Sequence, residues 1–176
     1  MPELQRLRAD HAPAVLTFEL ANRAYFAAFV TDRGDAYFDR FDDRFGALLA
    51  EQEAGVCAFH VLVDEDGSVL GRFNLYDLED GAAELGYRVA QHVAGRGVAT
   101  STVQELCRLA ATRYGLRTLR AGTSRGNVAS RRVLAKAGFV AVDPADPADL
   151  CGEPGAWFRR DLDGADPGAA GPPGRC

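Results

Sequence analysis

Glu84-Leu-Gly-Tyr-Arg-Val-Ala-Gln-His-Val-Ala-Gly-Arg-Gly-Val-Ala-Thr100 is the stretch that decides the fold of this chain. Its first half has the pattern of a strand, a Gly-Arg-Gly turn follows, and a long amphipathic helix begins directly after the turn. The first N–H groups of a helix have no partner inside the helix, and glycines let a ligand approach the backbone closely. The order therefore predicts a cradle of N–H groups, from about Arg96 to Thr100, that suits a pyrophosphate.

The position of Gly95 and Gly97 carries this argument, because two glycines in a loop are more often structural than ligand-binding. The small residues Ala94 and Ala99 also allow close approach to the backbone. The pattern G-x-x-x-x-G-K-S/T is absent, which excludes a P-loop, and a third glycine is missing, which argues against a dinucleotide fingerprint. Arg96 could add a charge-assisted contact to the anion, although a solvated side chain is the simpler interpretation.

The composition is that of an ordinary globular domain. The chain has 176 residues, of which 47% are hydrophobic and 26% charged, and its formal net charge is −5. This acidic balance argues against non-specific nucleic-acid binding, which needs a basic face, and leans towards cationic partners such as amines. The N-terminal residues 1–10 lack the apolar run of a signal peptide, and no stretch reaches the roughly 18 apolar residues of a membrane span.

Cysteine and histidine spacing predicts no metal site. The four cysteines lie far apart without a C-x-x-C pair, which excludes a zinc site and a disulfide framework. The three histidines show no spacing typical of metal ligands. We therefore expect no bound metal and a reducing, cytoplasmic location.

Hydrophobic periodicity predicts the element order β, α, α, β, β, β, α, β, α, β, β. Hairpins cluster in the middle of the chain while helices and strands alternate later, so the expected fold class is α/β (α+β) with a mixed sheet. We expect residues 1–162 to form one domain and residues 163–176, rich in Gly, Pro and Ala, to be a disordered tail. The predicted strands cover about 4–8, 58–63, 69–75, 83–90, 116–123, 139–142 and 156–162.

Local signals predict where the helices begin and end. Asp10 is expected to cap the first helix, and Gly138 to follow the last one, which covers about 127–137. Residues 36–53 are predicted as one helix, and residues 22–35 and 143–147 as irregular. One apolar face of the 36–53 helix contains Phe38, Phe41, Phe45, Leu48 and Leu49.

A second motif follows the glycine turn at a fitting distance. Asn127-Val-Ala-Ser130 begins a short helix, Arg131-x-Val-Leu134 continues it, and Gly138-Phe139 ends it. Together with Ala83-Glu-Leu-Gly-Tyr87 and the glycine turn, these motifs resemble the GNAT superfamily of N-acetyltransferases. The branch they resemble most is the ribosomal-protein N-terminal acetyltransferases of the RimJ/RimL kind. The resemblance covers about residues 58–142 closely and the N-terminal part loosely.

This resemblance implies the GNAT fold, with a mixed, mostly antiparallel central sheet that is splayed at the acyl-CoA site and flanked by helices. It implies an acyltransferase that moves the acetyl group of its co-substrate acetyl-CoA to a primary amine, by direct attack in a ternary complex. An α-amine with a pKa of about 8 is neutral far more often at pH 7 than a lysine near about 10.4. A protein N-terminus therefore needs less help from a base. One departure is His92, which stands where the superfamily often has Gln or Arg.

The resemblance also assigns roles to individual residues. Glu84 is the candidate general base, acting directly or through a water, and Ser130 is the candidate proton donor to the leaving thiolate. The competing interpretations are a solvated strand-end charge for Glu84 and a helix-capping hydroxyl for Ser130. Asn127 is expected both to cap its helix and to contact the pantetheine arm or the substrate. The residues expected to bind the co-substrate are Tyr87, Arg88, Val89, Ala94, Gly95, Arg96, Gly97, Val98, Ala99, Thr100, Asn127 and Ser130.

Backbone groups of residues 87–89 could pair with the pantetheine amides as an added strand, and one N–H could polarise the thioester carbonyl. For the Tyr87 side chain, ordinary strand packing is the competing interpretation.

Several alternatives stay open. The acceptor could be a small amine such as a polyamine, an amino acid or an aminoglycoside, and the donor could be a longer acyl-CoA. The chain could also be a CoA-binding sensor or interaction module without catalysis. No nucleic-acid or membrane partner is expected, and the oligomeric state is open, a homodimer included. A group of aspartates could attract a cationic acceptor, unless it is only a solvated face: Asp32, Asp35, Asp39, Asp42 and Asp43.

Overall fold

The computed structural model describes residues 1–162, and the predicted disordered tail, residues 163–176, lies outside the described residues. Within the described range the chain forms one sheet and a set of helices. The strands are β1 Glu3–Arg6, β2 Ala58–Val63, β3 Val69–Glu79, β4 Ala82–Val89, β5 Thr118–Ser124, β6 Val140–Ala145 and β7 Gly155–Asp161. The α-helices are α1 Ala12–Ala21, α2 Arg23–Ala27, α3 Asp35–Asp39, α4 Phe41–Glu53, α5 Val98–Thr112 and α6 Val128–Lys136.

The strands lie in the order β1-β2-β3-β4-β5-β7-β6. Every neighbouring pair is antiparallel except β4 and β5, which run parallel. The prediction of a mixed, mostly antiparallel sheet flanked by helices is therefore confirmed. Within residues 1–162, no helix combines the length and the apolar character that a bilayer crossing requires.

Helices cover both faces of the sheet. Side chains alternate between faces along a strand. Arg72 of β3 therefore points to α1, where it contacts Glu19, while its neighbour Phe73 points the other way and stacks on Tyr87 of β4. We call these the α1 face and the α5 face. On the α5 face, the predicted apolar side of α5 is buried, namely Val103, Leu106, Cys107 and Ala110.

The segment predicted as irregular, residues 22–35, contains the short helix α2. Asn22 separates it from α1, because the Asn22 amide donates a 2.9 Å hydrogen bond to the carbonyl of Phe18 and its Oδ1 accepts one from the N–H of Gln91. An asparagine that bonds the backbone competes with continuation of a helix. The prediction was therefore wrong for α2, and Asn22 ties the end of α1 to the segment after β4.

The single helix predicted over 36–53 is also wrong. Arg40 has non-helical dihedral angles and divides the segment into α3 and α4. The break changes the face that α3 presents, so that Tyr37 is buried and Phe38 is only half-buried, while Phe41 and Phe45 of α4 are buried as expected.

Two further boundaries differ from prediction. Asp10 does not cap α1, because a 3-10 turn at Ala9–His11 precedes that helix and the Asp10 carboxylate instead pairs with Arg8. The predicted loop 143–147 is partly strand, since β6 continues through Pro144 to Ala145. Proline is tolerated there because β6 lies at the edge of the sheet, where an N–H is not needed for pairing.

Candidate active site

The sheet opens into a wedge between β4 and β5. The two strands pair through three residue pairs, Ala82 with Thr118, Ala83 with Leu119 and Glu84 with Arg120. Beyond Glu84, β4 pairs only with β3, and β5 pairs only with β7. Backbone groups on the inner edge of β4, over residues 85–89, are therefore free of sheet partners on that side. The predicted splay of the sheet is confirmed.

A cavity of about 380 Å³ lies at the mouth of this wedge. The end of β4, the glycine turn, the first turns of α5 and α6, and the α2 region contribute its walls. The predicted co-substrate residues that line it are Tyr87, Arg88, Val89, Ala94, Gly95, Gly97, Ala99, Thr100, Asn127 and Ser130. Two predicted residues do not line it: Arg96 is exposed, and Val98 is half-buried at the first position of α5.

The glycine turn has the backbone that an anion cradle requires. Gly95 and Gly97 have φ of +77° and +79°, in the left-handed region that favours glycine, and Gly97 immediately precedes α5. A Cβ at either position would meet no protein atom within 4 Å. Both glycines therefore border the open space of the cavity, next to the free N–H groups at the start of α5.

The second half of the site is the first turn of α6. Asn127 caps this helix, because its Oδ1 accepts a 3.1 Å hydrogen bond from the N–H of Ser130. The Oγ of Ser130 in turn lies 3.1 Å from the hydroxyl of Tyr87, whose ring stacks on Phe73. Burial raises the pKa of Tyr87 to about 12, so the phenol stays protonated at neutral pH. The Tyr87 side chain is thus both packed in the strand and directed at Ser130.

Residues 3–140 match the family model of the acetyltransferase (GNAT) domain. This chain belongs to the GNAT acetyltransferase family. The predicted superfamily and enzyme class are confirmed, and an acyl-CoA is the co-substrate of such a domain.

A curated N-acetyltransferase matches part of this chain. An uncharacterized N-acetyltransferase, p20, of Bacillus licheniformis is 32% identical over 83 residues, which are 46% of this chain and 47% of the relative. The match thus spans about half the length of that curated relative.

Solved acetyltransferase structures share the fold. Ribosomal-protein-S5-alanine acetyltransferase of Vibrio fischeri superposes with a TM-score of 0.84 at 19% identity, covering 94% of this chain and 96% of that one. RimJ of Mycobacterium smegmatis, solved with CoA-disulfide, gives 0.81 at 21% identity, covering 92% and 82%. Spermidine N-acetyltransferase of Vibrio cholerae, solved with CoA and spermine, gives 0.76 at 14% identity, covering 92% and 96%. At these identities the likeness establishes the GNAT fold, and RimJ/RimL-type enzymes are among the neighbours.

Glu84 is separated from the other predicted site residues of this GNAT domain. It is the last β4 residue paired with β5, so it lies at the closed end of the wedge, and it is half-buried. It is directly opposite Tyr76 of β3, which places its side chain on the α1 face, whereas Tyr87 points to the α5 face. Burial, reinforced by the charge of Asp77, raises the pKa of the Glu84 carboxyl.

Sequence reasoning missed two polar features on the α1 face of the GNAT sheet. Asn74 of β3 is buried, and its Oδ1 has no hydrogen-bond partner within residues 1–162. Glu19 of α1 is 1% exposed and contacts Arg72. The sequence signal that could have found them is a polar residue between apolar neighbours. Glu19 lies between Phe18 and Leu20, and Asn74 lies between Phe73 and Leu75.

The predicted aspartate group is not a common acidic surface. Asp32 and Asp35 are both paired with Arg23, at 2.7 Å and 2.8 Å. Neither these two nor the remaining aspartates, at 39, 42 and 43, line the cavity. The geometry favours the solvated face over a site for a cationic acceptor. The described part of the GNAT chain also holds no cluster of three or more His, Cys, Asp or Glu side chains suited to a metal ion.

Proposed function

We propose that this chain transfers the acetyl group of acetyl-CoA to a primary amine, and that its preferred acceptor is the α-amine of a protein N-terminus. The observation that carries the proposal is the wedge between β4 and β5. It brings the glycine turn, the free edge of β4 and the Tyr87–Ser130 hydrogen bond into contact with one cavity.

The residues present fit a CoA thioester. The start of α5 offers N–H groups to a pyrophosphate, and Gly95 and Gly97 leave open the space that a Cβ would take. Free backbone groups of residues 87–89 can pair with the amides of an extended arm, as an added strand does. When bound, acetyl-CoA supplies an acyl group activated as a thioester.

Ser130 and Tyr87 act together on the leaving sulfur in this proposal. When the Tyr87 hydroxyl donates to Ser130 Oγ, the serine hydrogen is free to point into the cavity. Ser130 then passes this proton to the departing thiolate while its oxygen receives the proton of the Tyr87 hydroxyl, and solvent returns a proton to Tyr87. A serine alone is a weak acid, so the contribution of Tyr87 is to orient the serine and to stabilise its oxygen as the proton moves.

Glu84 serves the acceptor from the α1 face of the sheet. The raised pKa of Glu84 makes its carboxylate a better proton acceptor than an exposed glutamate, so it can take a proton from the acceptor amine directly or through a water. The unpartnered Oδ1 of Asn74 is a buried acceptor on the same face. The donor and the acceptor thus approach the wedge from opposite faces.

An α-amine fits this machinery better than a polyamine. A single half-buried carboxylate is a modest base. An α-amine with a pKa of about 8 loses its proton more readily than an alkyl amine with a pKa of about 10.4. Tight packing of both substrates supplies much of the remaining acceleration, since orientation contributes about 7–11 kcal/mol in well-aligned reactions.

Incubation with acetyl-CoA and a panel of amines tests the proposal. The panel contains N-terminal peptides of ribosomal proteins, spermidine, amino acids and an aminoglycoside, and the readouts are thiol release and the mass of the product. We expect acetylation of the α-amine of peptides with a higher kcat/KM than for spermidine. Binding of acetyl-CoA without turnover of any amine would refute the enzyme and support a CoA-binding module.

A further inference from the structure

One buried carboxylate on the α1 face is surrounded by three arginines. Glu19 of α1 is 1% exposed, and its two oxygens accept hydrogen bonds from Arg72 at 2.7 Å, from Arg33 at 3.2 Å and from Arg88 at 3.3 Å. Buried charges in proteins are paired, because an unpaired charge in the interior is costly. Here a single negative charge meets three positive charges.

Within residues 1–162 the excess charge is not compensated. Each of the three arginines has Glu19 as its only salt-bridge partner, and Arg72 additionally contacts the Tyr37 hydroxyl at 3.4 Å. Burial, followed by the nearby charge of Arg33, lowers the pKa of Arg88, as expected for a cation with too little counter-charge. The cluster therefore carries two positive charges that lack an anion.

Arg72 and Arg88 differ in their access to solvent and in their free donors. The Arg72 side chain is 4% exposed, so it is an internal partner of Glu19. The Arg88 side chain is 22% exposed and donates one hydrogen bond, from Nη1, although a guanidinium has five N–H groups. Arg33, at 30% exposure, is similarly open. Arg33 and Arg88 are thus the two cations that can still bind a ligand.

Only Arg88 of this pair reaches the cavity directly, and Arg33 is held beside it by the shared Glu19 carboxylate. Arg88 lines the cavity, and its guanidinium lies 4.6 Å above the ring of Phe26, which also lines it. Because side chains alternate along β4, Arg88 shares the α1 face with Glu84, while Tyr87 faces Ser130. The positive charge of Arg88 is therefore on the same face of the sheet as the candidate base.

We infer that Arg33 and Arg88 form a subsite for a carboxylate that the amine acceptor carries close to its amine. The inference rests on the proposed function, and it narrows the acceptor to an α-amine next to an acidic side chain or to an amino acid with its own carboxylate. Paired guanidiniums favour carboxylates through charge-assisted hydrogen bonds. The same charges repel a polyamine such as spermidine.

Equilibrium binding of matched acceptors tests this subsite without relying on turnover. One pair is a C-terminally amidated peptide with Glu or Gln as its second residue, and the other is serine and serinamide. In titration calorimetry we expect one acidic member to bind about 10-fold more tightly than its amide, which corresponds to about 1.4 kcal/mol. The pair that shows the difference identifies the source of the carboxylate.

Variants of Arg33 connect the preference to the cluster. In Arg33→Gln the preference for the acid should fall to about 2-fold or less, whereas Arg33→Lys should retain part of it because the charge remains. Arg40→Gln removes an exposed arginine from the neighbouring segment and should leave the preference unchanged. Thermal unfolding of each variant shows whether α1 is still held on the sheet.

The outcomes separate this inference from the proposed function. Three outcomes would overturn the subsite. They are equal affinities within both pairs, no measurable binding of any of the four compounds, and a preference for the acid that survives Arg33→Gln. Acetyl transfer to the amide members without any preference would overturn it while leaving the acetyltransferase intact. Preferential carboxylate binding without acetyl transfer to any amine would refute the enzyme and leave the subsite standing.

Discussion

The hydroxyl of Tyr87 in β4 lies 3.1 Å from the Oγ of Ser130 in α6, across 43 positions of sequence. We expect Ser130→Ala to lower kcat about 100-fold, in the range of general acid catalysis. Tyr87→Phe keeps the stack on Phe73 and removes only the hydroxyl, so its kcat should fall less, about 10-fold. Steady-state kinetics with a separate CoA titration measures both effects. A Ser130→Ala enzyme with the wild-type kcat would exclude the proton-donor role.

The pH dependence of the reaction should report on Glu84. A base acts when ionised, so kcat/KM should rise with pH through the pKa of Glu84, which burial and the charge of Asp77 raise above its usual range. Removing that charge in Asp77→Asn favours the carboxylate, and the acidic limb should move to lower pH. Glu84→Gln should remove the contribution of Glu84 to this limb and lower kcat/KM. The acceptor amine titrates identically in all three enzymes, so superimposable profiles would contradict a role as base.

Gly97 should be required for CoA binding because of the space in front of it. Gly97 lines the cavity, a Cβ there would meet no protein atom within 4 Å, and the residue would be strained at a φ of +79° by about 1–2 kcal/mol. We expect Gly97→Val to weaken acetyl-CoA binding at least about 10-fold. Gly67→Val is the matched control, since Gly67 has a φ of +85° and open space in the β2–β3 turn. It should lose similar stability and bind CoA normally; equal CoA affinity of the two variants would remove the turn from the site.

Substitutions of Asn127 separate its two expected roles. Aspartate caps a helix as well as asparagine does, so Asn127→Asp should unfold at nearly the wild-type temperature, while Asn127→Ala should cost about 1 kcal/mol. The added carboxylate faces the cavity and should repel the phosphates of CoA, which raises Kd. Thermal unfolding and CoA titration distinguish the effects. If Asn127→Asp binds CoA like the wild type, Asn127 is a cap alone.

His60 should make the fold sensitive to acid. It is buried in β2, where Nδ1 donates to the carbonyl of Phe73 and Nε2 accepts from the Tyr114 hydroxyl, and burial lowers its pKa from 6.5 to about 4. Between these values the unfolded chain binds a proton that the folded chain does not. Stability present above pH 6.5 is therefore lost as pH falls towards about 4, by about 3 kcal/mol in total.

Denaturant unfolding across this pH range checks the sign and the size of the effect. In His60→Gln the slope of the unfolding free energy between pH 4 and 6.5 should decrease by the equivalent of one proton. His92→Gln, which changes an exposed histidine, serves as the control and should keep the wild-type slope. Equal slopes for His60→Gln and the wild type would show that His60 is already protonated in the folded state.

The features that the sequence predicted correctly are local. Gly95 and Gly97 mark a turn by their conformational freedom, Asn127 caps a helix that begins beside it, and the spacing of apolar residues defines α5. The strands and the mixed sheet followed from periodicity and from the resemblance to a family. These signals are contained within about one helix length of chain, so no tertiary contact was needed to find them.

What the sequence could not predict depends on contacts between distant segments. The break at Asn22 exists because its side chain bonds Gln91, 69 positions away. The hydrogen bonds that Glu19 accepts from Arg72 and Arg88 likewise join α1 to β3 and β4. Glu84 was correctly placed in a strand, but the face it occupies follows from the register of β3 and β4, which composition does not encode.

The three residue pairs between β4 and β5 have a mechanical consequence. Together with the N–H groups of Arg117 and Thr118, which donate to the Gly81 carbonyl beside them, these pairs join two half-sheets, β1–β4 and β5–β7–β6. A force that pulls the two half-sheets apart would act on the few hydrogen bonds between β4 and β5. A molecule that lies in the wedge and bonds both strands holds the two half-sheets together. We therefore expect this acetyltransferase to resist separation of the half-sheets most when its donor is bound. When the donor leaves, the sheet should open first between β4 and β5.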